Sequence, residues 1–312
     1  MAQPTTPTEP SRPSYLASPR KPRLVLPAGA CDAHVHVFGP SRVFPFAPNR
    51  SFTPADAPKE KLFALHALLG IAHCVVVQSV CHGFDNAAAA DAIAAKHGAY
   101  RGVALAPISI SDGELRKLDA AGFCGARFHF LHARHLGRAT PIDEVIAFGG
   151  RLADIGWHLQ IHVDSSLIGD MTAALRRSPV PVVIDHIGRI DASLGLEQPP
   201  FRHLLTLMQD KNFWVKVSGS DRATRKGPPY ADAVPFARKL VAEFGDRVLW
   251  GTDWPHPNHA GPIPDDGVLV DLLAEIAPAA AARQALLVDN PQRLYRFVGA
   301  KPVVSPQSIA NP

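Results

Sequence analysis

The chemistry available to this sequence lies where histidine, aspartate and arginine close apolar runs. Cys31-Asp-Ala-His34-Val-His36-Val-Phe-Gly39 carries two histidines at i and i+2. On a strand such residues share a face, so both imidazoles can reach one ion. Leu-Gln-Ile-His162-Val-Asp164, Asp185-His186-Ile-Gly188 and Leu-Trp-Gly251-Thr-Asp253-Trp-Pro-His256-Pro-Asn258 each place a histidine or aspartate where an apolar run gives way to a loop. Taken singly, each has a structural reading: a terminal aspartate caps the next helix, and a core histidine is satisfied by backbone. Their recurrence at the ends of four separate runs favours one shared constellation.

Arg127 and Arg222 are the cations of interest. Arg127 lies in an apolar run, so its guanidinium needs a partner. A carboxylate or sulfonate of a ligand would serve bidentately, and an internal aspartate would serve equally. Arg222, in Ser218-Gly-Ser-Asp-Arg222, sits in a loop, where binding residues concentrate. His82 either helps to bind a ligand or braces a turn. Asp164 is placed to orient His162, and His256, between prolines, to brace Asp253. His66, His97 and His203 fall in helical patterns and read as surface residues.

These residues must be carried by a repeating scaffold. Strand candidates are 31–38, 72–80, 101–107, 125–130, 158–163, 181–186, 214–218 and 248–254. Helical patterns separate them at 59–69, 86–97, 113–121, 142–155, 167–177, 201–209 and 231–244, with 267–276 and 280–287 closing the chain. Near-continuous apolar strands such as Cys74-Val-Val-Val-Gln78 suit a parallel sheet covered on both faces. Eight strands alternating with helices predict a single-domain α/β fold, a (β/α)8 TIM barrel, whose active site lies at the strand C-termini. A doubly wound sheet is the rival, but no G-x-G-x-x-G turn follows the first strand and no P-loop occurs.

Composition narrows the function classes. With 312 residues, 46% hydrophobic and 19% charged, the chain is neither disordered nor fibrous. It holds no apolar run of about 18 residues, so a membrane partner is not expected. Four cysteines (Cys31, Cys74, Cys81, Cys124) without a CxxC pair form neither a disulfide scaffold nor a zinc knuckle, and a reducing, cytoplasmic setting suits them. Of the net charge of +4, residues 1–23 hold +3 (Arg12, Arg20, Lys21 and Arg23 against Glu9), so nucleic acid is not the expected partner. Seven prolines in the first 27 residues suggest a flexible leader over 1–23 ahead of a barrel at 24–299, with a flexible tail at 300–312.

The order H-x-H on strand one, histidine on strands five and six, and aspartate on strand eight resembles the amidohydrolase superfamily. Closer still, Asp32-Ala-His34-Val-His36-Val-Phe-Gly-Pro40, Val-Gln78-Ser-Val-Cys81-His-Gly-Phe-Asp85-Asn86, Val-Ile-Asp185-His186-Ile-Gly-Arg189 and Trp250-Gly-Thr-Asp253-Trp-Pro-His256-Pro-Asn258 resemble the 2-pyrone-4,6-dicarboxylate lactonase group. Asn290-Pro-Gln-Arg293-Leu-Tyr295 is similar to that group's closing helix. The resemblance spans about residues 24–298 and implies a distorted barrel of the amidohydrolase type. Arg127 and Arg222 match substrate-binding arginines of the group, and Ser79 matches a substrate-binding serine. A further arginine of the group has Ala133 near its place here, with Arg134 one step along.

His162 stands where the group carries tyrosine. That group works without metal, whereas the resemblance extended to its zinc-dependent relative, 4-sulfomuconolactone hydrolase, implies one Zn²⁺, or Mn²⁺, on His34, His36, His162 and Asp253. The implied activity is hydrolysis of a small anionic lactone in aromatic catabolism, of the 4-sulfomuconolactone type, with sulfite loss after ring opening. Asp253, His186 or both would take the proton of the attacking water. Arg127, Arg222, His82, His129 and Arg134 would bind the substrate. A metal-independent pyrone-dicarboxylate lactonase and a zinc decarboxylase are the alternatives, and a homo-oligomer is left open.

Overall fold

The computed structural model describes residues 13–131, 140–259 and 261–298. Eight parallel strands run in sequence order around one sheet: β1 (Cys31–Val35), β2 (His73–Val77), β3 (Tyr100–Ala104), β4 (Phe123–Phe130), β5 (His158–Val163), β6 (Val182–Ile184), β7 (Phe213–Lys216) and β8 (Val248–Leu249). This is the expected (β/α)8 barrel. The helices between strands are α1 (Lys59–Leu69), α2 (Ala87–Ala94), α3 (Asp112–Ala120), α4 (Ile142–Ala153), α5 (Ile168–Leu175), α6 (Pro199–Met208), the single turn α7 (Ser220–Ala223) and α8 (Val234–Phe244). Local sequence explains them. Ser111 and Glu114 form a reciprocal capping box at the start of α3. In α4, Val145, Ile146, Phe148 and Leu152 recur at helical spacing and form the buried face.

All eight strand candidates exist, but several stop short of the apolar run that suggested them. Regular pairing ends at Val35, Ile184, Lys216 and Leu249. Beyond these points the chain turns to aim His36, His186, Ser218 and Asp253 at the barrel mouth. The ring closes between β1 and β8 through three backbone bonds: Ala33 N–H to Trp250 O (2.8 Å), Asp253 N–H to His34 O (2.8 Å) and His36 N–H to Trp254 O (2.7 Å). The closure therefore runs through the very residues that could do chemistry.

The register of β1 against β2 shifts between Asp32 and Val35. This bulge re-aims the side chains. Asp32 turns toward His66 of α1 (3.5 Å) and Thr252, while His34 turns inward to Asp185 and Lys216. His66 is thus a buried residue and not a surface one, hydrogen-bonded to Tyr100 Oη at 2.5 Å. His97 and His203 are exposed as expected. All four cysteines are free and buried. Inside the barrel, Cys31, Val75, Val103, Cys124, Val183, Trp214 and Leu249 pack with Leu294, Tyr295 and Phe297 of the C-terminal segment. The composition suggested a flexible leader through residue 23, yet residues 14–24 hydrogen-bond to the barrel through Pro255, Asp265 and Asp271.

Asp32 joins the two strands that close the ring, accepting from His34 N–H (3.1 Å), Thr252 N–H (3.0 Å) and Thr252 Oγ1 (2.6 Å). Asp32→Ala strands three donors in a dry interior and should cost about 3 kcal/mol, read as a lowered urea midpoint with an unchanged slope.

Candidate active site

The strand ends open into a cavity of about 540 Å³ lined by His36, Arg127, His162, His186, Arg222 and Asp253 among others. Asp253 is its hub. Its backbone sits at φ +64°, a costly conformation that persists only where surroundings over-determine it, as the three closing bonds do. Its Oδ1 lies 3.4 Å from His36 Nε2, 3.7 Å from His34 Nε2 and 3.8 Å from His186 Nε2. Its Oδ2 receives Arg222 Nε at 2.5 Å. Burial pushes the carboxyl upward, but Arg222 and then His186 hold it well below the usual carboxylate range. The result is an ionised carboxylate at the base of the cavity.

Proton bookkeeping around Asp253 shows what else the site can take. His36 Nδ1 lies 2.7 Å from Val77 O, and a carbonyl only accepts, so Nδ1 carries the hydrogen and Nε2 is free to accept. His34 is kept neutral by burial and by Lys216, its Nδ1 facing Asp185 Oδ1 at 3.3 Å. Its Nε2 is buried without a hydrogen-bond partner. Two imidazole nitrogens and a carboxylate oxygen within 4.8 Å of one another suit a divalent cation, with Asp185 behind His34 as the orienting carboxylate. His34, His36 and Asp253 thus fit a metal.

His162 stands apart from this group. Its Nδ1 faces Arg127 Nη2 at 2.8 Å and its Nε2 faces Arg189 Nη1 at 3.1 Å. Guanidinium groups only donate, so the ring's lone pair is committed to an arginine and not turned toward His34 and His36. Burial and Arg127 together push its pKa well down. The expected four-residue set is therefore assembled as three, which is the protein complement of many catalytic zinc sites with water in the fourth place.

Beneath the cavity lies a charged layer that sequence reasoning missed. Asp185 Oδ2 accepts from Arg127 Nε (2.9 Å) and Gln160 Nε2 (3.2 Å), while Lys216 Nζ donates to Gln160 Oε1 (2.8 Å) and approaches Asp185 at 3.6 Å. Burial pushes Lys216 down to about 8, and Arg127, His34 and Lys216 overcome burial to keep Asp185 well below its ordinary value. Arg127 thus has the internal partner and also borders the cavity. The available signals were Gln160, two residues before His162 on one face, and a lone lysine in Phe213-Trp-Val-Lys216-Val.

The remaining expected residues divide. His186 donates or accepts at Ser218 Oγ (2.9 Å), and burial pushes it down to about 4 against the pull of Asp253 and Asp185. His129 borders the cavity beside His162, with ring centroids 5.3 Å apart, and Ser79 borders it too. His82 does not line it: its ring nitrogens meet Pro45 O (3.1 Å) and Gly39 N–H (3.4 Å), so it braces a turn. Asp164 pairs with Arg189 (3.2 Å), a cavity residue not singled out from the sequence. His256 pairs with Asp266 (3.1 Å) and donates its backbone N–H to Asp253 O (2.7 Å). Arg134 lies outside the described residues.

Comparison with known proteins places these features in context. An amidohydrolase family profile matches residues 31–297. The chain is 48% identical over 290 residues to the 2-pyrone-4,6-dicarboxylate hydrolase of Comamonas testosteroni, covering 90% of this chain and 94% of that protein. It is 37% identical over 277 residues to the 4-sulfomuconolactone hydrolase of Hydrogenophaga intermedia, covering 88% and 90% respectively. Among solved structures, a putative 2-pyrone-4,6-dicarboxylic acid hydrolase from Pseudomonas putida aligns with a TM-score of 0.76 at 32% identity, over 88% of this chain and 100% of that one.

The three-residue group makes a direct prediction for metal binding. When metal-stripped protein is titrated with Zn²⁺ and followed by elemental analysis, His36→Ala should lose uptake, by roughly 100-fold or more in affinity, since an inner ligand outweighs the 10–100-fold of an outer partner. His162→Gln should retain zinc within a few-fold.

Proposed function

The chain belongs to the amidohydrolase family, and we propose that it is a lactone hydrolase of aromatic catabolism whose substrate is a small lactone bearing two anionic groups, 2-pyrone-4,6-dicarboxylate being the leading candidate. The observation that carries this reading is that Arg127, Arg189 and Arg222 line a single cavity together with an ionised Asp253. The lining of that cavity holds Arg127, Arg189, Arg222 and Arg225 against Asp221 and Asp253, an excess of positive charge that favours an anionic guest. Four free buried cysteines accord with a reducing, cytoplasmic setting. No described helix is long and apolar enough to cross a membrane.

In this mechanism one anionic group of the lactone meets the Arg127–His162–Arg189 edge. A neutral His162 has only one lone pair for two guanidinium neighbours, so its N–H and the second guanidinium can share a ligand oxygen as acceptor. Arg222, which also donates Nη2 to Pro257 O at 3.1 Å, takes the other anionic group with its remaining donors. The lactone carbonyl then lies over Asp253 and the imidazoles. Asp253 takes a proton from the attacking water as the carbonyl carbon becomes tetrahedral, and returns it to the ring oxygen as the ester bond breaks. His186, neutral and tethered to Ser218, holds the developing charge or shares that proton. His34, His36 and Asp253 would hold a divalent ion, Zn²⁺ by donor type or Mn²⁺, whose chemistry there is Lewis-acid polarisation.

Two observations bear on the choice of ring. The 48% identity to a pyrone-dicarboxylate hydrolase and the commitment of His162 to arginines support the dicarboxylate. A second reading, 4-sulfomuconolactone with sulfite loss, is supported by the 37% relative and by a histidine at position 162 where the dicarboxylate group has tyrosine. A panel of both compounds and uncharged lactones, assayed before and after chelation, separates them. Ring-opened diacid without sulfite or CO₂ is the expected product, and CO₂ release would instead mark a decarboxylase.

Two variants test the roles assigned here. Asp253→Asn keeps the shape but not the basicity, so hydrolysis should fall by ~10²–10⁴. Arg189→Met should lower kcat/KM for dianionic lactones by about 10- to 100-fold, the worth of one charge-assisted hydrogen bond, and leave neutral lactones within a few-fold.

A further inference from the structure

We propose that residues 14–24 form a strap that holds the Asp253 turn in its reactive conformation, with Tyr15 as a positioning residue acting through Trp254. The turn needs holding. Asp253, His256 and Asn258 have φ of +64°, +55° and +57°, three non-glycine residues in the left-handed region within six positions. Left-handed backbone at such residues persists only where contacts outside the turn fix it.

The strap supplies contacts of that kind at both ends. The half-buried Tyr15 ring packs on the indole of Trp254, the residue after Asp253, with centroids 5.1 Å apart and planes tilted by 52°. Ser14 Oγ donates to Pro255 O, one residue further along. Tyr15 Oη reaches Asp56 O at 3.4 Å, tying the ring to the loop that follows β1. At the other end Arg20 N–H donates to Asp265 Oδ2 at 3.1 Å, and Asp271 receives Arg20 Nη2 (2.5 Å), Arg23 N–H (2.8 Å), Arg23 Nε (3.2 Å) and Leu24 N–H (2.9 Å). Gly267 marks how closely the segment docks: a Cβ there would lie 2.1 Å from Arg20 O.

The consequence is mechanical. Trp254 O accepts the backbone N–H of His36, so the peptide that Tyr15 covers also joins β8 to the histidine strand. A ring that pins Trp254 fixes the distance between Asp253 and His36, and a displacement of about 1 Å at such a distance is enough to cost catalysis an order of magnitude or more. This inference uses the lactone-hydrolase reading only for its kinetic arm.

The test compares Tyr15→Ala and Tyr15→Phe in the full chain by hydrogen–deuterium exchange and by kinetics on 2-pyrone-4,6-dicarboxylate. Tyr15→Ala should speed exchange several-fold in peptides covering 250–259, leave β4 and β5 unchanged, and lower kcat about 10-fold with KM within twofold. Tyr15→Phe keeps the ring and should match wild type in both arms. Gly267→Ala, which pushes Arg20 outward without touching Tyr15, should reproduce the regional loss of protection if Tyr15→Ala fails to fold. Unchanged exchange over 250–259, or a rise spread evenly through the barrel, overturns the strap. A wild type that turns over no lactone overturns the functional reading alone, since the exchange arm decides the strap independently.

Discussion

A buried carboxylate that faces imidazole lone pairs must find positive charge, and the arrangement around Asp253 follows from that requirement. Asp253 Oδ1 looks at His34, His36 and His186, at least one of which offers only a lone pair in its direction. Arg222 satisfies the other oxygen. One face of the carboxylate is thereby neutralised by the protein, and the other is left for a cation, a proton or a polarised substrate. A carboxylate in this state is ionised and keeps one oxygen open to the cavity, so it is placed to accept a proton from a bound water.

The second buried carboxylate, Asp185, plays a complementary part. It is surrounded by Arg127, Lys216 and Gln160, and it backs His34 from below. A charged layer inside a barrel is expensive, because each ion must recover its lost hydration from its neighbours. Here the neighbours come from β4, β5, β6 and β7, so any slip in strand register would leave a charge unpaired. The layer thus couples the geometry of the scaffold to the geometry of the site, and it sets the orientation of His34 and Arg127 before any ligand arrives.

Arg127 illustrates why a pair of opposed readings can both hold. Its Nε is spent on Asp185, while its Nη2 reaches the cavity beside His162. Five donors in a rigid fork allow one guanidinium to anchor itself and still present hydrogen atoms to a guest. Arg222 does the same between Asp253 and Pro257. An anion entering the site would meet groups already fixed in place, which limits the ordering entropy lost on binding.

The alternation of apolar runs and helical patterns was enough to establish eight strands and the barrel, because burial on both faces of a parallel sheet leaves a record in every strand. The pair His34 and His36, the Asp253 turn and Arg222 were legible for a similar reason: residue type and strand-end position are local properties. What lay beyond the sequence was the partner of each group. His162 has the composition of a ligand, but the arginines beside it come from β4 and from the turn after β6, and only closure of the ring brings them to its two nitrogens. The β1 bulge that sends Asp32 outward and His34 inward, the burial of His66, and the docking of residues 14–24 on the Asp253 turn likewise depend on contacts between segments far apart in the chain. Periodicity fixes which face a side chain takes, whereas its charge state and its role depend on whichever neighbours the tertiary fold places within a few ångströms.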